Sequence, residues 1–338
     1  MTAALANVSA LVMLMAITAY SVAGGADFGA GIWDFFARGK RAHEARELID
    51  HAMGPVWEAN NVWLVLAMVV CWTGFPLLFQ SVFASLYPLF SLALLGVILR
   101  GAFFAFRHIA GGPRMERASS LVFGISSLFS PFFFAATLGA IASGRVGAGA
   151  PKVSIWEACV SPMSISFGLV ALAATAFTGA VFLVGDARRY NNPEMVDYFR
   201  RRAVVATIAL IATGTIGLIA MWFEASGLVI AMLSGLGLLF VLATVGLTPV
   251  VGFLLWTGRY TFYRLLAVVA VASLVLAWAF GQAPYMLPGE LTVLQAAAPL
   301  ATHVALLAVT ALLVVLVVPA LGLLLYLDQR SHLEPAKP

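Results

Sequence analysis

The sequence predicts an all-α, polytopic membrane protein, and three observations carry that prediction. Of 338 residues, 62% are hydrophobic and 10% charged, where a soluble domain carries roughly 25% charged residues. Mean hydropathy is +0.99. The apolar residues also gather into runs of spanning length, about 20 residues each. Nine such helices use about 180 residues and leave the remainder for connections and ends. Most of the chain cannot face water, so the soluble enzyme classes are excluded. A single integral membrane domain over residues 1–338 is expected, with no soluble domain between spans.

The spans follow in order from apolar length at about 7–30, 58–78, 83–106, 119–142, 162–184, 203–223, 227–256, 262–281 and 303–327. The first begins near Asn7 with no Lys or Arg before it. It lacks the basic start of a cleaved signal peptide and is expected to remain as a helix. Pro76 and Pro88 blur the turn between the second and third spans. In the seventh, Gly246 and Pro249 either kink one long helix or end a short one. The stretch 32–56 carries charges of both signs and is expected to form a short amphipathic helix at the membrane surface. The stretch 281–302, with Pro284, Tyr285, Pro288 and Glu290, reads as a loop lying on the interface.

Charge tests this layout independently. Seventeen of the 19 Lys and Arg residues fall on one side of the nine spans, and only Arg145 and Lys152 on the other. Cytoplasmic loops carry the Lys and Arg excess, so the N-terminus is expected outside and the C-terminus inside. The net charge of +4 is dispersed between apolar runs and forms no single basic stripe, so no nucleic-acid partner is indicated.

Several chemistries have no support in the residues. Cys71 and Cys159 stand in or beside apolar segments outside any C-x-x-C pattern, which suits buried structural thiols. A bis-histidine haem needs facing imidazoles from neighbouring spans. The histidines are His43, His51, His108, His303 and His332, and of these His303 alone is placed at membrane depth. The glycine-rich run at 24–31 fails the dinucleotide pattern and reads as a helix-packing device.

The informative residues are ionisable groups at membrane depth, each costing roughly 2.5–3.5 kcal/mol at a helix centre. Asp27 has Ala23, Gly24, Ala30 and Gly31 at three- and four-residue spacing, a small-residue face that lets another helix approach. Glu58 opens the second span, and Asn61 shares its face one turn on. Arg100 lies toward the inner end of the third. By the charge-derived topology all three sit near the cytoplasmic edge, as a hydrated way in for protons would require. Structural readings stand beside this: Glu58 also suits the first turn of a helix, and Arg100 also suits a topology anchor. Glu224, beside Trp222, reads as an interfacial charge.

Three segments resemble subunit II of the cytochrome bd type quinol oxidases of bacteria: Gly-Ala-Asp-Phe-Gly-Ala-Gly at 25–31, Gly-Pro-Val-Trp-Glu-Ala-Asn-Asn-Val-Trp-Leu at 54–64, and Leu-Arg-Gly-Ala-Phe-Phe-Ala-Phe-Arg at 99–107. Content, order and spacing agree, and Asp-Tyr-Phe-Arg-Arg-Arg at 197–202 extends the likeness more loosely. The resemblance implies two four-helix bundles with one peripheral helix, in the bacterial cytoplasmic (inner) membrane. It implies no catalytic, metal or cofactor site on this chain. Two haems b and one haem d would belong to a partner, subunit I, which oxidises quinol and reduces oxygen to water. Small accessory subunits and membrane lipid are further implied partners. The proton path would run between the subunits from the cytoplasm, with Glu58, Asp27, Asn61 and Arg100 as its candidates and Trp63 at a candidate oxygen access route; Trp63 also suits simple packing. Where some relatives have Asp-Gly-Phe-Asp, this chain has Gly24-Gly25-Ala26-Asp27, so any role of a second carboxylate in that motif does not carry over. Two rivals remain: a proton-coupled transporter, against which no matched pair of broken helices stands in the two halves, and a purely structural subunit.

Overall fold

A computed structural model describes residues 1–53, 57–107 and 113–329, without the side chains of 53, 57–59, 105–107, 113–117, 324, 325 and 327–329. The helices are α1 (Thr2–Phe35), α2 (Ala42–Met53), α3 (Trp57–Gly74), α4 (Pro76–Arg107), α5 (Pro113–Ala142), α6 (Ile155–Cys159), α7 (Pro162–Arg189), α8 (Pro193–Glu224), α9 (Ser226–Met232), α10 (Gly235–Trp256), α11 (Tyr263–Gln282), α12 (Val293–Ala296) and α13 (Leu300–Gln329). One two-stranded antiparallel sheet pairs β1 (Tyr285–Leu287) with β2 (Leu291–Thr292). Among the described residues eight helices are long and apolar enough to cross a membrane, and α3 is a shorter apolar helix.

Regular helix dominates because lipid offers no partner to a free N–H or C=O. Hydroxyls inside the spans obey the same constraint. Those of Thr18, Ser127, Thr178, Thr207 and Thr310 each donate to the carbonyl four residues earlier, at 2.8 Å.

The architecture is two four-helix bundles, α1/α3/α4/α5 and α7/α8/α10/α11, joined where α1 and α5 pack on α7. α13 lies at the periphery against α1 and α3, with 11% of its most apolar window buried against 61% for α7. At the joint α1 and α7 touch backbone to backbone. A Cβ on Gly29 would lie 2.2 Å from the Thr175 carbonyl oxygen, and one on Gly179 would lie 2.4 Å from the Gly29 carbonyl carbon. No larger residue fits either position.

Four local expectations need correction. The turn between the second and third spans is a single residue, Phe75, so the third helix starts at Pro76. Pro88 lies inside α4, whose backbone leaves helical geometry at Leu86 (φ −122°, ψ 20°), because proline removes a hydrogen bond and crowds the preceding turn. The break in the seventh span falls at Leu233–Ser234 between α9 and α10, and α10 runs on through Gly246 and Pro249. The stretch 281–302 packs against protein: Met286, Leu287, Leu291 and Ala296 join the core of the first bundle.

Side-chain pairs identify the two ends of the molecule. At one end Arg41 meets Glu194 at 3.1 Å, Asn192 Nδ2 donates to Glu44 Oε1 at 2.7 Å, and Arg264 meets Asp186 at 2.7 Å. This gathers α2 with the α7–α8 and α10–α11 turns into an arginine-rich end. At the far end Arg145 meets Glu224 at 2.8 Å and Lys152 meets Glu290 at 2.8 Å.

Candidate functional site: a buried carboxylate between three helices

The small residues around Asp27 do what small residues at membrane depth do: they let neighbours close in. They serve different neighbours, however. Gly24 makes room for Tyr20 of its own helix, and Gly31 receives Ser127 from α5, whose Oγ lies 2.1 Å from where a Cβ would stand. Asp27 itself is 9% exposed. Its Oδ2 accepts a hydrogen bond from Asn60 Nδ2 of α3, and the same amide donates to the Ala23 carbonyl at 3.4 Å. Arg100 of α4, 4% exposed, supplies the principal charge acting on Asp27. Its guanidinium carbon lies 4.6 Å from the Phe28 ring centre and 5.3 Å from that of Phe123, a cation–π cradle for a desolvated cation. Arg100 Nε and Nη2 have no hydrogen-bond partner among the described residues, and neither does the buried Tyr20 hydroxyl.

Three helices therefore bring a carboxylate, an amide and a guanidinium to one point inside the first bundle. A buried charge is tolerated only when paired and hydrogen-bonded. Here one oxygen of Asp27 is bonded, and two guanidinium nitrogens keep donor capacity. Such a cluster can hold water and pass a proton, since each group offers a site the next can reach through one bridging molecule.

Of the sequence candidates, the structure brings Asp27 and Arg100 together. The side chain of Glu58 lies outside the described residues. Asn61 is half-buried. Trp63 is half-buried against the core of the first bundle. Asn60 and Tyr20 are the members that sequence reasoning missed. The Asn60-Asn61 pair was visible, but periodicity within α3 selects Asn61 as the partner of residue 58. Only the docking of α3 on α1 selects Asn60 as the partner of Asp27.

Glu224, expected as an interfacial charge, also has two partners at the far end of the molecule. One carboxylate oxygen receives Arg145, and the other receives the backbone N–H of Met163 at 3.1 Å, so Glu224 caps the start of α7 from the end of α8. His303 is fully buried with Nδ1 2.9 Å from Ser9 Oγ, tying α13 to α1. His43 and His51 both lie on the surface helix α2, each with Glu47. These three do not offer two imidazoles facing each other from neighbouring spans, the arrangement a bis-histidine haem needs; His108 and His332 lie outside the described residues. Cys71 and Cys159 are free thiols, and burial pushes the Cys159 thiol up.

The family model for cytochrome bd terminal oxidase subunit II matches residues 5–327. The chain is 22% identical over 300 residues to a putative cytochrome bd menaquinol oxidase subunit II of Bacillus subtilis strain 168, covering 86% of this chain and 85% of that one. It is 32% identical over 108 residues, about a third of each chain, to a cytochrome bd ubiquinol oxidase subunit 2 of the same organism. The bd oxidase structure from Geobacillus thermodenitrificans superposes with a TM-score of 0.78 at 21% identity, over 96% of this chain and 98% of that one. With the match spanning nearly the whole length and the same helical architecture, the chain belongs to the cytochrome bd terminal oxidase subunit II family.

Proposed function

We propose that this chain is the haem-free, multi-pass subunit of a quinol-oxidising, oxygen-reducing complex of the bacterial inner membrane, and that it carries protons from the cytoplasm toward its partner. Membership of the family supports a partner subunit I and haem in the complex. The finer assignments are that two haems b and a haem d sit in that partner, and that quinol is oxidised there. When bound there, the haems supply electron transfer and oxygen chemistry; this chain supplies a scaffold and a proton route. The N-terminus is assigned to the outside and the arginine-rich end to the cytoplasm, following the charge asymmetry. Small accessory subunits and lipid complete the complex.

The observation that carries the proton role is the Asp27 carboxylate, buried between α1, α3 and α4, bonded to Asn60 and set against an incompletely bonded Arg100. A group this costly at membrane depth marks a functional site. Asp27 holds and releases a proton, Asn60 orients it, and Arg100 supplies the opposite charge beside it. Glu58 and Asn61 extend the route at the start of α3, and Trp63 lines a candidate approach for oxygen.

Substitution in the assembled complex is the test. Asp27→Asn and Glu58→Ala are expected to slow quinol-dependent oxygen uptake at least ten-fold while the haem spectrum of the purified complex is unchanged. Turnover left intact in both would leave the chain a scaffold. Solute movement by the chain alone in vesicles would replace the proposal with a transporter.

A further inference from the structure

A second buried carboxylate lies on α1. Asp34, in the last turn of α1, is 1% exposed, although the chain here is about to leave the helix. The position is costly twice over: burial disfavours the charge, and the C-terminal end of a helix macrodipole repels an anion. No basic residue of α1 itself compensates in that turn. The compensation arrives from another element. Arg46 of α2 places Nε 3.5 Å from Asp34 Oδ1, donates through Nη2 to the Ala37 carbonyl at 3.0 Å, and remains 39% exposed. α2 is clamped over this point by Ala45, Leu48 and Ile49, which are buried in the core, and by its Glu44–Asn192 and Arg41–Glu194 links to the α7–α8 turn.

Asp34 is also in register with Asp27. Seven residues are close to two helical turns, so the two carboxylates lie on one face of α1, about 10 Å apart along its axis. Between them on that face is Gly31, over which Ser127 Oγ sits. The Ser127 hydroxyl donates to the Phe123 carbonyl at 2.8 Å and keeps its lone pairs for another donor. The Phe123 ring on which Arg100 rests lies against the same glycine.

We infer that Asp34 is the mouth of the proton route, with Arg46 on α2 as the group through which it meets bulk water. The inference rests on the proton-carrying role proposed for Asp27. A proton from cytoplasmic water adds to the Asp34 carboxylate. It then leaves along water bridged past the Ser127 hydroxyl, and Asp27 accepts it, regenerating the Asp34 carboxylate. The distance of about 10 Å forbids direct transfer, and a hydroxyl with about two waters spans it.

The test uses the whole complex, purified with subunit I, reduced, and mixed with oxygen while a pH dye reports proton uptake from the medium. Asp34→Asn is expected to slow uptake at least ten-fold with the haem spectrum intact, and Asp34→Glu to restore it to within about three-fold. A purely structural carboxylate predicts the opposite: uptake at the normal rate in every Asp34→Asn complex that assembles. If Asp34→Asn blocks assembly, Arg46→Met decides. It leaves the carboxylate in place, and uptake is expected to fall at least three-fold; an unchanged rate overturns the inference. Slow uptake in Asp27→Asn beside normal uptake in Asp34→Asn would place the mouth elsewhere and leave the route standing. Normal uptake in both would remove the route itself.

Discussion

Glu290 and Lys152 show how a single pair can couple two loops at the far end of the molecule. Their side chains meet at 2.8 Å, joining the turn between β1 and β2 to the segment between α5 and α6. The Lys152 hydrogen bond, the backbone of Ala148 and the Lys152 charge hold the Glu290 carboxyl below its usual range. A carboxyl depressed on folding stabilises above its unfolded value, and that contribution disappears as pH falls through the folded value. Amide protection factors over residues 147–152 in the detergent-solubilised protein, with the intrinsic pH dependence of exchange divided out, should therefore be lower at about pH 3 than at about pH 7, below and above the ordinary carboxylate range. Glu290→Gln should remove most of that pH dependence. Equal acid sensitivity in the variant would show that other groups hold the loop. Neither partner announced itself in the sequence, because they stand 138 positions apart and only the folded hairpin brings them together.

The joint between α1 and α7 is where helix packing is least forgiving. Gly29 and Gly179 meet backbone to backbone, so no rotamer change can relieve an added methyl group. Gly29→Ala is expected to cost about 2–3 kcal/mol as the helices separate, read as a lower unfolding temperature in detergent. Gly214 of α8 is the control: nothing lies within 4 Å of its Cβ position, and Gly214→Ala should be neutral or stabilise by up to about 1 kcal/mol through helix propensity. Equal losses in both would deny that close approach is the cause. The glycine-rich run was legible as a packing device. Which glycine meets which helix was not, because Gly24, Gly29 and Gly31 face Tyr20, α7 and α5 in turn.

At the scale of the whole molecule, the distribution of charge predicts a membrane orientation that a fusion experiment can test. Arg188, Arg189, Arg200, Arg201, Arg202, Arg259 and Arg264 crowd one end, several of them held there by aromatic rings. The Arg188 guanidinium carbon lies 4.2 Å from the Tyr260 ring centre, and that of Arg202 lies 3.3 Å from the Tyr198 ring centre. Long cationic side chains with exposed tips suit the cytoplasmic headgroup region. Alkaline phosphatase fused after Gly289 should be active outside the cytoplasmic membrane, and the same enzyme fused after Asn191 inactive. The reversed pattern would invert the orientation and with it the side from which protons are drawn.

The sequence by itself determined the class: apolar composition forces the backbone to satisfy itself in lipid, and helices with short connections do so locally. It also marked Asp27 and Arg100, because a charge in an apolar run is visible without knowing its surroundings. What it could not decide is which groups stand opposite. Periodicity ranks residues on one helix, whereas Asn60 against Asp27, Arg46 against Asp34, and Glu224 at the start of α7 are set by how separate helices dock. That docking is fixed by glycine contacts and side-chain volumes summed over whole interfaces, so only the tertiary structure decided which costly residues stand opposite which partners.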